Sequence, residues 1–445
     1  MSPAGEDGRT PRLSVVILAK DAARALDDVL LSLERQTADP AQFEVVVVDD
    51  GSAESLAPIV AKHEPLDATC VRLEVNRGRA AARNVGASHA TAPRLLFLDG
   101  DSWTLPSLVQ RHLDFADRDR ERTTLLGRRL ELGWDRLRDV VRGGQIPEIP
   151  EPLPNYEDDL RYAYALEVDT IDFRTHRAPW VCAYTHNMSV DHALFDEVGG
   201  FDEEFTQWGH EDIELGYRLF LAHGRRGGFA YDHQAVCVHL PHFRNLARNR
   251  QTGGRNRELI KRKHLFYDIE LLGSEVYGNV ERKIARYEAV LDRARERVAV
   301  HPSADGAADV MARIPALAAG RRLLWIGAGL GLSGDTPRHD HAQPPSPANS
   351  HLLGLDTPHE DGSFDTVVNV DLWRHLTVPD LSLAVLEGMR IAPELYFILT
   401  KPSDARSSGA WDAEWVADSF GTTFPAFVVH DDEALTAIRF QHPAA

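Results

Sequence analysis

Short, wholly apolar runs alternate with stretches of helical periodicity through the first hundred residues, and the runs break off in acids and glycine. Arg12 to Ala19 predicts a strand, and Ala22 to Gln36 follows with Ala25, Leu26, Val29, Leu30 and Leu33 along one helix face. Phe43 to Ser52 is a second β-rich run, ending in Asp49, Asp50 and Gly51. Strand, helix and strand in this order form a βαβ unit, and runs apolar on both faces imply a parallel sheet covered by helices. Ala53 to His63 predicts a second helix, Cys70 to Glu74 a short strand, and Asn76 to Gly78 a turn into a helix starting near Arg79. Leu95 to Leu98 then reads as a buried strand that stops at Asp99-Gly100-Asp101-Ser102. Ligands of such sheets bind beyond the carboxyl ends of the strands, which puts Asp50, Asp99 and Asp101 on one rim.

Leu105 to Arg118 reads as a helix, and the Pro-rich stretch Gln145 to Tyr156 as an ordered loop or lid. Trp180 to Tyr184 predicts a strand leading into Thr185-His186-Asn187. After a Gly199-Gly200-Phe201-Asp202 turn, Trp208-Gly209-His210-Glu211-Asp212 opens a helix that carries Ile213, Tyr217 and Phe220. Phe229 to Tyr231 and Ala235 to His239 are short strands, with His242 just beyond the second. Glu258 to Val300 predicts two amphipathic helices. The chain restarts at Arg321 with a strand and a glycine loop, Gly327-Ala328-Gly329-Leu330-Gly331. Strands at Phe364 to Val370 and Glu394 to Thr400 follow, with a helix from Val378 to Arg390 between them, and His339 to Ser350 predicts a flexible segment. The organisation expected is an α/β domain over 1–245, a helical connector over 246–305 and a smaller α/β domain over 306–445.

Composition narrows the functional classes. The chain has 445 residues, 43% hydrophobic and 26% charged, which suits a globular protein of more than one domain. A net charge of -19 argues against a general nucleic-acid binder. No run approaches the ~18 apolar residues that span a bilayer. The start, Met1 to Arg12, has no apolar signal core, so no transmembrane segment and a cytoplasmic location are expected. Cys70, Cys182 and Cys237 have neither disulfide nor metal-ligand spacing. One basic stretch stands out, with Arg244, Arg248, Arg250, Arg255, Arg257, Lys261, Arg262 and Lys263 against Glu258 alone. It fits an anion-facing surface or a solvated helix face.

Two acidic clusters carry the candidate chemistry. Asp99 and Asp101 are hard oxygen ligands suited to Mn2+ or Mg2+ against a diphosphate, although Asp-Gly-Asp is also turn chemistry. Acids in the first turn of a helix suit its dipole, which accounts easily for one acid at 211–214 and less well for a Trp-Gly pair ahead of three. The helix start near Arg79, with Arg77 and Arg83, is a candidate anion site or an ordinary helix surface.

The ordered set Ser14-Val15-Val16-Ile17, Val48-Asp49-Asp50-Gly51-Ser52, Ala82-Arg83-Asn84-Val85-Gly86, Leu98-Asp99-Gly100-Asp101, Gly199-Gly200-Phe201-Asp202 and Trp208-Gly209-His210-Glu211-Asp212 resembles a family 2 glycosyltransferase. The resemblance covers residues 12–245, and its second half is similar to the segment shared by β-1,4-galactosyltransferases, polypeptide N-acetylgalactosaminyltransferases and chondroitin-polymerase-like enzymes. It implies a GT-A Rossmann-like fold and transfer from a nucleotide sugar, UDP-linked, to a soluble acceptor such as a peptide, natural product or saccharide. It also implies that Asp50 accepts from the nucleobase, that Arg83, Trp208 and Gly209 lie at the donor, and that Asp99 is near the ribose and metal. Asp101 and His239, with His242 in reserve, are implied as ligands of Mn2+ or Mg2+. Asp212 is implied as the base and Glu211 as a holder of sugar hydroxyls, while His186 and Asn187 line the acceptor side. Glu-Asp at 211 and 212 resembles the inverting relatives, while Glu214 matches the retaining group's pattern. The C-terminal third resembles a reduced methyltransferase Rossmann domain, its glycine loop similar to that of S-adenosylmethionine enzymes. A bifunctional transferase and a non-catalytic sugar-nucleotide-binding protein are the alternatives.

Overall fold

The computed structural model describes residues 10–132, 161, 172–242, 246–272, 277–300, 306–317, 321–401 and 413–442. Two compact units result, Met1–Arg257 and Glu258–Ala445, and the division falls within the helix Leu246–Lys263. The Pro-rich stretch 145–156 lies outside the described residues.

The first unit begins as expected, with β1 (Leu13–Ala19), α1 (Ala23–Glu34) and β2 (Phe43–Asp50). Then come α2 (Ala57–Val60), β3 (Ala68–Leu73), α3 (Arg79–His89) and β4 (Arg94–Asp99). β3, β2, β1 and β4 lie side by side and parallel. Leu13, Val15, Ile17, Val45, Val47, Leu96 and Leu98 bury one face of this sheet with Leu26, Val29, Leu30 and Leu33 of α1. Each such side chain contributes about 1.5–3 kcal/mol on removal from water. The sheet then turns mixed through β5 (Ser102–Thr104), β6 (Thr124–Leu130), β7 (Asn187–Asp191) and β8 (Phe229–His239). Its order is β3-β2-β1-β4-β7-β6-β8-β5.

Four expectations are corrected. The second helix shrinks to Ala57–Val60, because the Asp49 carboxylate accepts from Ser52 N at 2.9 Å and Leu56 N at 3.1 Å and fixes the preceding residues in a turn. Trp180 to Tyr184 is no strand: Pro179–Cys182 is a 3-10 turn. Pro179 removes a ladder donor, and Trp180 is buried edge-on to Tyr217 with ring centroids 5.0 Å apart. The two short strands before His239 are one, β8, whose pairing with β6 shifts register at Gly127/Arg128. His339 to Ser350 is not a flexible segment, as the second unit makes plain.

That unit carries β9 (Leu323–Gly327), β10 (Arg338–Asp340), β11 (Thr366–Val370), β12 (Glu394–Thr400), β13 (Ala426–Asp431) and β14 (Leu435–Gln441). Its sheet order is β10-β9-β11-β12-β14-β13, with the first four strands parallel. His339, Asp340, His341 and Asn349 are buried. The Asn349 amide accepts from Asp340 N at 2.8 Å and donates to Asp340 O at 3.1 Å, which pins this polar segment inside the fold. No described helix is long and apolar enough to cross a membrane.

Candidate active site

Strand pairing brings the first cluster together. β4 ends at Asp99 and β5 starts at Ser102, so Gly100 and Asp101 form a tight link. Gly100 N donates to Leu18 O at 3.0 Å, and a Cβ there would stand 2.8 Å from the same oxygen, so only glycine fits. β5 pairs antiparallel with β8 in the register Ser102↔His239, and Leu240 N donates to Asp101 O at 2.7 Å. His239 and His242 are thereby delivered to Asp101: His242 Nδ1 is 3.0 Å and His239 Nε2 3.6 Å from Asp101 Oδ2. Glu131 Oε2 backs His239 Nδ1 at 3.5 Å.

Among the described residues, Asp101, His239 and His242 are the group whose ligand atoms all lie within 4.8 Å of one another. Among the described residues Asp101 Oδ1 is buried without a hydrogen-bond partner, so this group could hold a cation. Burial works to raise the Asp101 carboxyl, yet hydrogen bonds from both imidazoles hold it well below the usual range. His239 responds in the opposite sense: burial lowers it, but Asp101 and Glu131 bring it above its ordinary value.

The second cluster lies between α3 and the helix Glu211–Ala222. Arg83 is 3% exposed, and its guanidinium bridges Asp99 Oδ1 at 3.0 Å and Glu211 Oε1 at 3.1 Å. A buried guanidinium requires such partners. Arg83 is thus turned to two carboxylates, and Asp99 meets Arg83 rather than joining the Asp101–His239–His242 group. Glu211 Oε2 accepts from Gly209 N at 3.2 Å. Next along the helix, Asp212 has a carboxyl pushed up to about 7, first by burial and then by the charge of Glu211, with Arg83 opposing. Trp208 is 44% exposed, an apolar ring facing solvent ahead of this cluster.

The remaining sequence candidates have partners of their own. Asp50 is buried and accepts from Arg77 N at 2.7 Å and Gly78 N at 3.1 Å, anchoring the turn ahead of α3. Asn187 does not line an acceptor site: it is fully buried, accepting from His112 Nε2 at 3.0 Å and donating to Ala235 O at 2.8 Å. His186 is buried and stacked on Tyr184, its pKa lowered first by burial. Glu214 pairs with Arg218 at 2.6 Å. Sequence reasoning missed Glu131 behind His239 and Asn256, whose amide reaches the carbonyls around Trp208.

The glycine loop of the second unit is tied to an acid of its own fold. Gly329 N and Leu330 N donate to the fully buried Asp340 carboxylate at 2.8 and 3.0 Å. Two of the loop's amides are therefore already taken. S-adenosylmethionine titrated into the protein is expected to give no saturable heat, and a saturable isotherm would refute that reading of the loop.

The description "Glycosyl transferase family 2" matches residues 14–151, and "N-terminal domain of galactosyltransferase" matches residues 177–242. Validoxylamine A glucosyltransferase of Streptomyces hygroscopicus subsp. limoneus is 32% identical over 397 residues, 82% of this chain and 85% of the relative. Chondroitin synthase of Pasteurella multocida is 31% identical over 221 residues, 47% of this chain and 23% of that protein. Among solved structures, a mannosyltransferase from Pyrobaculum calidifontis in complex with GDP-Man and Mn2+ is similar at 17% identity and a TM-score of 0.42, covering 70% of this chain and 81% of that chain. With a relative matched across most of both lengths and the family description spanning β1 to Asp101, the chain belongs to glycosyl transferase family 2, an α/β glycosyltransferase of the GT-A fold that uses a nucleotide sugar.

Proposed function

We propose that the protein transfers glucose from UDP-glucose, with Mn2+, to a hydroxyl of a polar, sugar-like small molecule, and that the anomeric centre inverts. The observation that carries this is the Asp101–His239–His242 group together with Asp212, whose carboxyl stands at about 7 beside Glu211. The choice of sugar and acceptor is supported by the likeness to a validoxylamine A glucosyltransferase, whose 397-residue match is longer than the first unit and so extends into the second.

One carboxylate and two imidazoles suit Mn2+ better than Mg2+, which prefers oxygen ligands alone. Asp101, His239 and His242 would hold the ion, which when bound supplies positive charge against the departing diphosphate. The chain's own groups do the rest. Asp212 accepts the acceptor's proton as its oxygen bonds to the anomeric carbon and the bond to UDP breaks. Glu211, fixed by Arg83 and Gly209 N, offers its carboxylate to hydroxyls of sugar or acceptor. Trp208 presents an apolar face to a sugar ring. Double displacement with retention needs a second nucleophile, and Glu214 is held by Arg218, which supports a single step.

The test is a donor screen. Each common nucleotide sugar is incubated with Mn2+ and a panel of acceptors that includes sugars and validoxylamine A, and free nucleotide and the product's anomeric proton coupling are measured. Release of UDP from UDP-glucose with a β-linked product is expected. Preference for a guanine or thymine nucleotide donor, or an α-linked product, refutes the corresponding part of the reading.

A further inference from the structure

The turn that delivers Glu211 and Asp212 holds two successive residues in the left-handed region, Gly209 at φ +105° and His210 at φ +67°. Glycine takes such a conformation freely, but histidine does so against steric resistance and needs its surroundings to hold it. From the helix side, Glu211 Oε2 accepts from Gly209 N. From the other side, the hold comes from the helix Leu246–Lys263. Asn256 is buried there, and its Nδ2 donates to Gly209 O at 2.6 Å and Gln207 O at 3.2 Å, with Trp208 O at 3.4 Å. The Gly209 peptide groups are thus clamped at both ends, by a carboxylate and by an amide.

Close backbone approach makes this possible. A Cβ on Gly209 would stand 3.3 Å from Gly253 Cα, and one on Gly253 would stand 3.5 Å from Trp208 Cζ3. On the part of this helix within the first unit, Thr252, Gly253 and Asn256 are buried, while Arg250 and Arg255 are exposed. The basic stretch of the sequence is therefore two-sided: a solvated cationic face, and a small polar face built against the turn.

We propose that Asn256 is a positioning residue for the transfer, holding the Gln207–His210 turn in the strained form that sets Trp208, Glu211 and Asp212. The assignment rests on those residues serving transfer, as proposed above. Its amide is suited to the role because it offers two donors to adjacent carbonyls, which a hydroxyl or a carboxylate does not.

The experiment measures UDP release from UDP-glucose with Mn2+, and UDP affinity with Mn2+ by calorimetry. The proteins are the parent, Asn256→Ala, Asn256→Asp, His210→Gly, the His210→Gly/Asn256→Ala pair and Asp212→Asn. Asn256→Ala is expected to lower kcat about 10- to 100-fold, the scale of a misplaced reacting group. UDP affinity is expected to stay within about twofold, since the role proposed for Trp208 in this turn is toward the sugar ring and not toward UDP. Asn256→Asp keeps the volume, removes the donors and should lose rate likewise, which keeps the test open if the alanine variant does not fold. With His210→Gly the strain is relieved, so the cost of Asn256→Ala should shrink several-fold in that background. A parent-like kcat for Asn256→Ala, an equal cost in both backgrounds, or a parallel loss of UDP affinity overturns the assignment. If Asp212→Asn retains the parent rate, the functional reading itself fails; an inactive Asp212→Asn beside an unimpaired Asn256→Ala refutes the positioning role alone.

Discussion

Asp212→Asn is expected to lower transfer about 10^3-fold while leaving UDP and Mn2+ binding intact, within the range that a positioned general base contributes. Asparagine keeps the size and the acceptor for Ile213 N, bonded at 2.9 Å in the native protein, so the fold has little cause to change. What it loses is the ability to take a proton. The native carboxyl stands at about 7 because burial disfavours its charge and Glu211 adds to that, with Arg83 pulling the other way. A base works only when ionised, so kcat/KM should rise as pH increases through about 7 and level off above it. Removing the Glu211 charge removes a raising influence and leaves Arg83 unopposed by it, so Glu211→Gln should move that midpoint down. A flat rate between about pH 5.5 and 8.5, or substantial turnover by Asp212→Asn, would remove Asp212 from the role of base.

The strand-end acids were legible in the sequence because local rules alone dictate them. Apolar runs that stop at Val48-Asp49-Asp50 and Leu98-Asp99-Gly100-Asp101 are strands whose polar ends must emerge at the sheet's carboxyl rim, and β2 and β4 do so. The start of the helix at Glu211 was legible for the same reason. What was not legible depends on pairing between distant segments. β5 has three residues, too few for a periodic signal, yet its register with β8 is what brings His239 and His242 to Asp101. β6 hides because it carries Arg128, a buried cation inside a strand. Polar side chains near motifs also mislead: Asn187 sits beside candidate residues in sequence, but it is spent on His112, Arg128 O and Ala235 O inside the core. Asn256 shows the converse, a polar residue on a basic helix whose value lies in carbonyls 47 to 49 residues away.

Loss of the Asp101 carboxylate should have the other large effect. Asp101→Ala is expected to weaken Mn2+-dependent UDP binding about 100-fold or more, because the ligand itself is removed and not merely its support. In the native protein Asp101 Oδ1 is buried without a partner and Oδ2 is shared by two imidazoles, so alanine leaves His239 and His242 with no anion between them. His239→Ala should follow closely, since that ring is buried and oriented by Glu131; His242→Ala should cost less, its side chain being 45% exposed. Calorimetry of UDP with Mn2+ and with chelator separates the ion's contribution from that of the nucleotide pocket. Wild-type affinity should collapse on chelation, and Asp101→Ala should already sit at the chelated value. The same comparison decides the place of Asp99, which pairs with Arg83. If its part is to orient Arg83 and through it Glu211, Asp99→Asn keeps most of the Mn2+ response and loses turnover; a loss of Mn2+ response equal to that of Asp101→Ala instead makes Asp99 a ligand of the ion.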